Sequence, residues 1–435
     1  MRTARAQAVR RAGWGLALAV LSGCSLLGRT GVDPEPPFPD RAPTFELEVA
    51  VRADPSGAQS LDLWMTAPSR GARGLGLGLT SPIRWTAEVL TRPEGRELYE
   101  ESWVGTDEPA RDWVERSIAV VPGSLVVVVT AEVEATGDVS TVRREIHVDE
   151  ASGSPLLQGL RLELGSGSSW RPLIALATEA RGDSLRVRAQ ALQAAGTFAR
   201  LQVERLVVDD EVAAPLPRVA PAPRARGGAA DTVYVRRDSV ESDLADLRWT
   251  VPPLGPGVYR VHAELDRSRQ ERTIVVRRAG FPSVERVGDL IGPMAYITTE
   301  AEQRALTARR DPYLQRRAFD RFWGDRLADR REAASVVRAF SDRVEEANAR
   351  FSTYKAGWKT DRGMVLVLFG RPQRINRSAR TEEWVYTSGP VAGLVLPFAS
   401  TPGPGPLTTW TVPRSPAYEV AWERARRAWR RGDVP

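Results

Sequence analysis

Pro122-Gly123-Ser124-Leu125-Val126-Val127-Val128-Val129-Thr130-Ala131-Glu132-Val133 decides how the first part of this chain is read. Pro-Gly is turn chemistry, and the apolar, β-branched run after it reads as a strand. Leu125 to Val129 describes a strand buried on both faces, the alternative being an exposed edge. The signal returns at Pro256-Gly257-Val258-Tyr259. That stretch leads to His262-Ala263-Glu264-Leu265 as the first leads to Thr130-Ala131-Glu132-Val133, and each is followed by a polar turn and one more strand. Two copies of one β unit are expected in tandem.

Outward from there, period-two alternation marks Phe45-Glu46-Leu47-Glu48-Val49 and Leu61-Asp62-Leu63-Trp64. The runs Ile83 to Leu90, Leu98 to Trp103, Trp113 to Val121 and Val142 to Val148 bring residues 44–149 to about seven short strands, the complement of a small β-sandwich. A polar break, Asp149-Glu150-Ala151-Ser152-Gly153-Ser154-Pro155, precedes a second β unit over residues 155–280. Within it, the Pro-, Ala- and Arg-rich stretch Pro215 to Ala230 is expected as a long flexible loop, because strands on both sides are needed to complete a sheet. The predicted architecture is multidomain: two tandem all-β immunoglobulin- or fibronectin-like sandwiches, followed by an α+β domain over residues 283–435.

The chain has 435 residues, about three single-domain lengths. Its 42% hydrophobic and 27% charged residues exclude a disordered chain and a polytopic membrane protein. A net charge of +6, from 61 Lys+Arg against 55 Asp+Glu, is a weak field without clustered cations, so no nucleic-acid partner is expected. Nearly all the positive charge is arginine; Lys355 and Lys359 are the only lysines. One cysteine and two histidines leave no means to build an internal disulfide, a zinc centre or a thiol site. His147 and His262 read as strand residues of different units. Gly74-Leu75-Gly76-Leu77-Gly78 lacks the Lys-Ser/Thr that a phosphate loop needs. Thirteen tryptophans are scattered along the chain, a pattern of cores and not of a sugar-stacking platform. No cofactor, no metal and no catalytic residue is assigned.

The N-terminus reads as an export signal over residues 1–23. Arg2, Arg5, Arg10 and Arg11 precede an apolar stretch, Trp14 to Leu21, that is too short to span a bilayer. It ends in Leu21-Ser22-Gly23-Cys24, which resembles the lipobox of bacterial lipoproteins; the resemblance implies acylation of Cys24 and a membrane-lipid partner. Ser25 after the cysteine implies the outer membrane, with the domains facing the periplasm or the cell surface. Residues 24–43 are Pro- and Gly-rich and suit a tether.

After Pro282 the pattern becomes helical. Thr299 with Glu302 forms a capping box before Ala301 to Arg309, and Asp311-Pro312 pairs an N-cap with proline at the first helical position. Val337, Phe340, Val344, Ala347 and Phe351 line one helix face. Then come Gly357-Trp358-Lys359-Thr360-Asp361-Arg362-Gly363, the apolar Met364 to Phe369, Gly370-Arg371-Pro372 and Glu383-Trp384-Val385-Tyr386. This resembles the GWxTD domain, carried by bacterial envelope lipoproteins and named for five of those residues. Tyr296-Ile297-Thr298-Thr299, Phe322-Trp323 and Ala347-Asn348-Ala349-Arg350-Phe351 are similar to family features, and the resemblance covers Ser283 to Trp410. Gly324 to Ala334 departs from it, being charged where many relatives carry an Asp-Pro-rich segment.

Physically, the motif reads as a helix exit into a hairpin. Gly357 supplies an unusual backbone angle, Trp358 buries its ring, and Asp361 accepts bonds from amides of the turn Thr360-Asp361-Arg362-Gly363. Met364 to Phe369 is expected as a strand, with Glu383 to Thr387 pairing back on it and placing Trp384 and Tyr386 on one face. A rival reading makes Lys359 and Asp361 a polar pair in a cleft, able to hold an anion or move a proton. The chain closes with a helix that Ser415-Pro416 starts, Tyr418, Trp422, Ala425 and Trp429 on one face, expected to dock on its own domain.

The expected function is that of a membrane-anchored, non-enzymatic binding or scaffolding lipoprotein with an envelope protein partner. A cell-wall or peptide-acting enzyme using Lys359 and Asp361, and a glycan- or peptide-binding module, are the alternatives.

Overall fold

The computed structural model describes residues 45–435 except 67–81, 106–112, 135–136, 151–153, 175–176, 219–229, 328, 379 and 404–406. The lipobox, the tether and Gly74 to Gly78 lie outside the described residues.

Seven strands follow the predicted runs: β1 (Leu47–Ala53), β2 (Gln59–Thr66), β3 (Ile83–Thr91), β4 (Glu97–Gly105), β5 (Trp113–Val120), β6 (Gly123–Val133) and β7 (Asp138–Val148). They form two sheets, β1-β2-β5 and β4-β3-β6-β7, antiparallel throughout. Alternate residues such as Leu61, Leu63 and Met65 of one sheet and Trp85, Ala87, Val127 and Val129 of the other fill the core between them. β6 lies inside its sheet, and Val126 on its other face is also buried. The Leu125 to Val129 run is thus a two-faced buried strand and not an edge.

The next strands are β8 (Leu156–Ser166), β9 (Ser169–Pro172), β10 (Ala177–Glu179), β11 (Ser184–Leu192), β12 (Thr197–Leu206), β13 (Ala230–Val240), β14 (Leu244–Val251), β15 (Gly257–Leu265) and β16 (Ser268–Arg277). Their sheets are β14-β11-β8-β9 and β10-β16-β15-β12-β13. With the short β9 and β10 set aside, β8-β11-β14 facing β13-β12-β15-β16 repeats β1-β2-β5 facing β4-β3-β6-β7 strand for strand. β6 and β15, which carry the repeated sequence signal, occupy equivalent places. The Gln190 side chain joins the two sandwiches like a backbone pair, donating to the Ala53 carbonyl at 2.9 Å and accepting from its amide at 2.7 Å. An Arg272–Glu48 ion pair adds to it. Gly159, at φ +64°, lets the Val51 carbonyl approach to where a Cβ would lie 2.5 Å from it.

The C-terminal part is α+β. It comprises α1 (Gly288–Ile291), α2 (Glu300–Thr307), α3 (Pro312–Gly324), α4 (Arg330–Phe351) and α5 (Asp361–Phe369), then an antiparallel sheet β17 (Arg374–Arg377), β18 (Thr381–Val385), β19 (Val395–Pro402) and β20 (Thr408–Thr411), then α6 (Glu419–Arg431). The caps form as the sequence predicts. Thr299 Oγ1 accepts from the Glu302 amide while Glu302 accepts from the Thr299 amide, and Asp311 caps the Leu314 amide at 2.9 Å.

The strand expected after the motif does not form. Met364 to Phe369 is helical, in α5, and not a strand. Every residue of that run is buried, so no periodicity betrays its type, and a helix apolar all round is what a core-traversing segment requires. The partner of β18 is instead β17. Trp384 and Tyr386 do share a buried face: Trp384 packs on Phe351 and Phe398, and the Tyr386 hydroxyl donates to the Gly370 carbonyl at 3.0 Å.

α6 docks on its own domain through Trp422, Ala425 and Trp429, and the Trp429 indole donates to the Leu368 carbonyl at 3.0 Å. Arg430 grips Glu302 of the α2 cap with two bonds of 2.7 and 2.9 Å, and Arg326 joins them. The Arg430 bonds hold the Glu302 carboxyl down at about 2, against an ordinary 4.5. A depressed carboxylate stabilises the fold above its unfolded value and ceases to as pH falls through the folded one. Acid unfolding between pH ~4.5 and ~2 should therefore be less steep in Glu302→Gln than in the wild type, by no more than about 1 kcal/mol after solvent screening. Equal slopes in urea melts over that range would refute the assignment.

Candidate functional site

The GWxTD segment wedges between α4 and α5. Gly357 begins a single 3-10 turn against the end of α4, where an added Cβ would lie 1.8 Å from the Ala347 carbonyl oxygen. Its φ is not left-handed, so the predicted unusual angle is not the requirement; room for backbone against backbone is. Gly363, in the first turn of α5, meets the Gly357 carbonyl just as closely, at 1.8 Å. The Trp358 indole lies over Gly292, where a Cβ would be 2.8 Å from the ring, and edge-on to Tyr296. The Tyr296 hydroxyl donates to the Trp358 carbonyl at 2.7 Å.

Thr360, not Asp361, caps the turn: its Oγ1 accepts from the Gly363 amide at 3.1 Å and donates to the Gly357 carbonyl at 2.7 Å. Asp361 faces the other way. It takes two bonds from Arg414, of 2.7 and 2.8 Å, and one from the Val412 amide at 2.8 Å. Arg362 bonds Glu382 at 3.3 Å with its guanidinium about equidistant from the Phe351 and Trp410 rings, at 4.9 and 5.0 Å, and burial lowers it below the usual arginine range.

The partner of Lys359 comes from far upstream. Its ammonium sits on Asp210, bonding both the carboxylate and, at 3.0 Å, the carbonyl. Lys355 does the same one residue earlier, meeting Asp209 at 2.9 Å and the Glu211 carbonyl at 3.1 Å. The two lysines of the chain thus hold one acidic segment, the exit from β12. That segment continues along the domain: the Ala213 amide bonds the Lys359 carbonyl, Arg414 Nε bonds the Ala214 carbonyl, and the Ser415 amide bonds the Leu216 carbonyl. Leu216 is fully buried in the α+β core. The start of the predicted flexible loop Pro215 to Ala230 is therefore a docked strap, fixed by an apolar anchor; residues 219–229 lie outside the described residues. The usable signals were the two lysines and Asp209-Asp210-Glu211, complementary in sign but separated by well over a hundred residues.

Lys359 and Asp361, expected together under the rival reading, each have a different partner. What the motif does border is a cleft of about 650 Å³ where the ends of β12, β15 and β16 meet it, walled by Val208, Val258, Phe281, Tyr354 and Trp358. Arg277 lies on its floor. Burial lowers that guanidinium to about 10, and its amines bond the carbonyls of Thr353, Tyr354 and Lys355, fixing the turn that enters the motif. His147 lies on β7 and His262 on β15, and among the described residues no three His, Cys, Asp or Glu side chains gather as a metal site.

Solved structures with partial likeness include red sea bream transglutaminase (10% identity, TM-score 0.18, covering 53% of this chain and 31% of that one). Alpha-2-macroglobulins of Salmonella (12%, 0.19, 55% and 17%) and of E. coli (11%, 0.19, 55% and 16%) are similar to the same degree. The chain spans less than a third of each, and scores so low carry no argument. No curated protein matches. Residues 257–431 match the family model of the GWxTD domain, beginning at the first residue of β15 and so including the two strands that carry Arg277 to the motif. Residues 257–431 are thus a GWxTD domain, and the wedge of Gly357, Trp358, Thr360 and Asp361 lies within it.

Proposed function

We propose that this protein is an outer-membrane-anchored envelope lipoprotein that acts as a non-enzymatic binding or scaffolding protein, using its GWxTD domain to hold an envelope protein partner. The observation that carries the reading is how the motif spends its polar groups. Lys359, Thr360, Asp361 and Arg362 all bond within the chain, and those bonds fasten the strap and the β20 exit to the domain. A motif used in this way is a keystone, and it shapes the cleft beside it. The anchor rests on Leu21-Ser22-Gly23-Cys24 and its cationic approach alone. Against a glycan platform stand the tryptophans: Trp64, Trp85, Trp249, Trp323, Trp384, Trp422 and Trp429 are buried and the other described ones half-buried.

The test is a photo-crosslinking side chain at Val208, in the full chain expressed in its native envelope. One discrete protein adduct is expected, absent when the same side chain replaces the exposed Arg309. Cys24→Ala should move the chain out of the membrane fraction. Identical adduct patterns at the two positions would sink the binding reading, and unchanged fractionation the anchor.

A further inference from the structure

The outer face of the β14-β11-β8-β9 sheet carries a row of like charges. Arg188 on β11 stands directly opposite Arg161 on β8 and, on its other side, directly opposite Arg248 on β14. Directly opposed like charges destabilise a sheet, so three in a line call for a compensating group. Glu163 is the only carboxylate paired with them among the described residues, and it is shared. Arg161, Arg186 and Arg188 reach it at 3.6, 3.5 and 3.4 Å, while among the described residues no ion pair involves Arg248 or the nearby Asp246. Two of these guanidiniums lie over aromatic rings, Arg186 at 3.7 Å from the Trp170 ring centre and Arg161 at 5.2 Å from that of Trp64. Burial, and then the neighbouring Arg188, lowers the Arg161 guanidinium below its usual range.

We propose that this row is a binding site for a multiply charged oxyanion, a phosphate or sulfate group seated among Arg161, Arg188 and Arg248. The guanidiniums of Arg161 and Arg188 already converge on one oxygen, Glu163 Oε1, at 3.6 and 3.4 Å, and guanidinium forks match the oxygens of a tetrahedral anion in pairs. The rings fix Arg161 and Arg186 before any anion arrives, so little side-chain freedom remains to be lost. This site lies on the second sandwich and stands independently of the GWxTD cleft.

The test uses the full chain carrying Cys24→Ala, so that acylation cannot contribute. Melting in sodium phosphate or sulfate is compared with chloride at equal ionic strength. A rise of about 2 °C is expected, lost in Arg188→Gln and in the more exposed Arg248→Gln, and kept in Arg309→Gln. In chloride, Arg248→Gln should melt no lower than the parent, because a like-charge contact has gone. Cosedimentation with phosphatidylglycerol and with phosphatidylcholine vesicles tells the sources apart. Binding to the former that Arg188→Gln abolishes assigns a lipid headgroup, and a response to the free ions alone assigns a soluble one. If neither phosphate, sulfate nor phosphatidylglycerol acts, or if Arg188→Gln and Arg248→Gln respond as the parent does, the proposal is wrong.

Discussion

Gly357→Ala and Gly363→Ala should each cost at least about 3 kcal/mol of stability, the upper end of ordinary overpacking, because the added methyl meets backbone and not a movable side chain. At Gly357 the obstacle is the Ala347 carbonyl oxygen, 1.8 Å from the new carbon; at Gly363 it is the Gly357 carbonyl oxygen, also at 1.8 Å. Neither can yield alone, since the first belongs to the last turns of α4 and the second to the 3-10 turn that seats Trp358. Elsewhere the same substitution acts in the opposite direction. Gly324, the last residue of α3, has nothing within 4 Å of a new Cβ, so Gly324→Ala should be neutral or stabilising by up to about 1 kcal/mol. Urea melts followed by tryptophan fluorescence measure all three. Motif variants within about 0.5 kcal/mol of the wild type would overturn the close-packing account of the two glycines.

The contrast between Gly357 and Met364 to Phe369 shows what the sequence could and could not tell. Strands were legible wherever one face meets a core and the other meets solvent, as along Leu61-Asp62-Leu63, since alternation records burial directly. Helices α2 and α3 were legible from their caps, because a cap is a local bond between residues three apart. α5 was not: a segment buried on every side carries no period, and its cap, Thr360, was read as part of a turn. Gly357 was correctly singled out but for the wrong cause, because a close approach between distant segments leaves the same residue in the sequence as a left-handed turn. The strap was illegible for a third reason. Asp209, Asp210 and Leu216 find partners in Lys355, Lys359 and the α+β core only through tertiary docking, and nothing local to residues 207–218 marks it.

That docking converges on one ion pair, which sets the second large expectation. Asp361, at the start of α5, is 9% exposed and accepts three bonds, two of them from Arg414. Arg414 in turn bonds the Ala214 carbonyl of the strap at 2.9 Å and the Val412 carbonyl at 2.6 Å. One guanidinium therefore ties the helix, the exit from β20 and the strap together. Asp361→Ala leaves that guanidinium buried without its counter-charge and the Val412 amide without an acceptor, which should cost about 3–5 kcal/mol. Arg414→Ala should cost a similar amount by stranding the carboxylate. The double variant should lose clearly less than the sum, with a coupling of about 2 kcal/mol, because each single change already bears the penalty of the orphaned partner. Lys359→Ala, whose Asp210 partner keeps 60% of its side chain exposed, should cost only about 1 kcal/mol or less. A catalytic Lys359–Asp361 pair predicts a different ranking: loss of activity in Lys359→Ala at unchanged stability. Strictly additive costs, with the double variant losing the full sum of Asp361→Ala and Arg414→Ala, would remove Arg414 from the centre of this junction, whereas strong coupling there with a mild Lys359→Ala makes the most conspicuous residues of the motif parts of its frame.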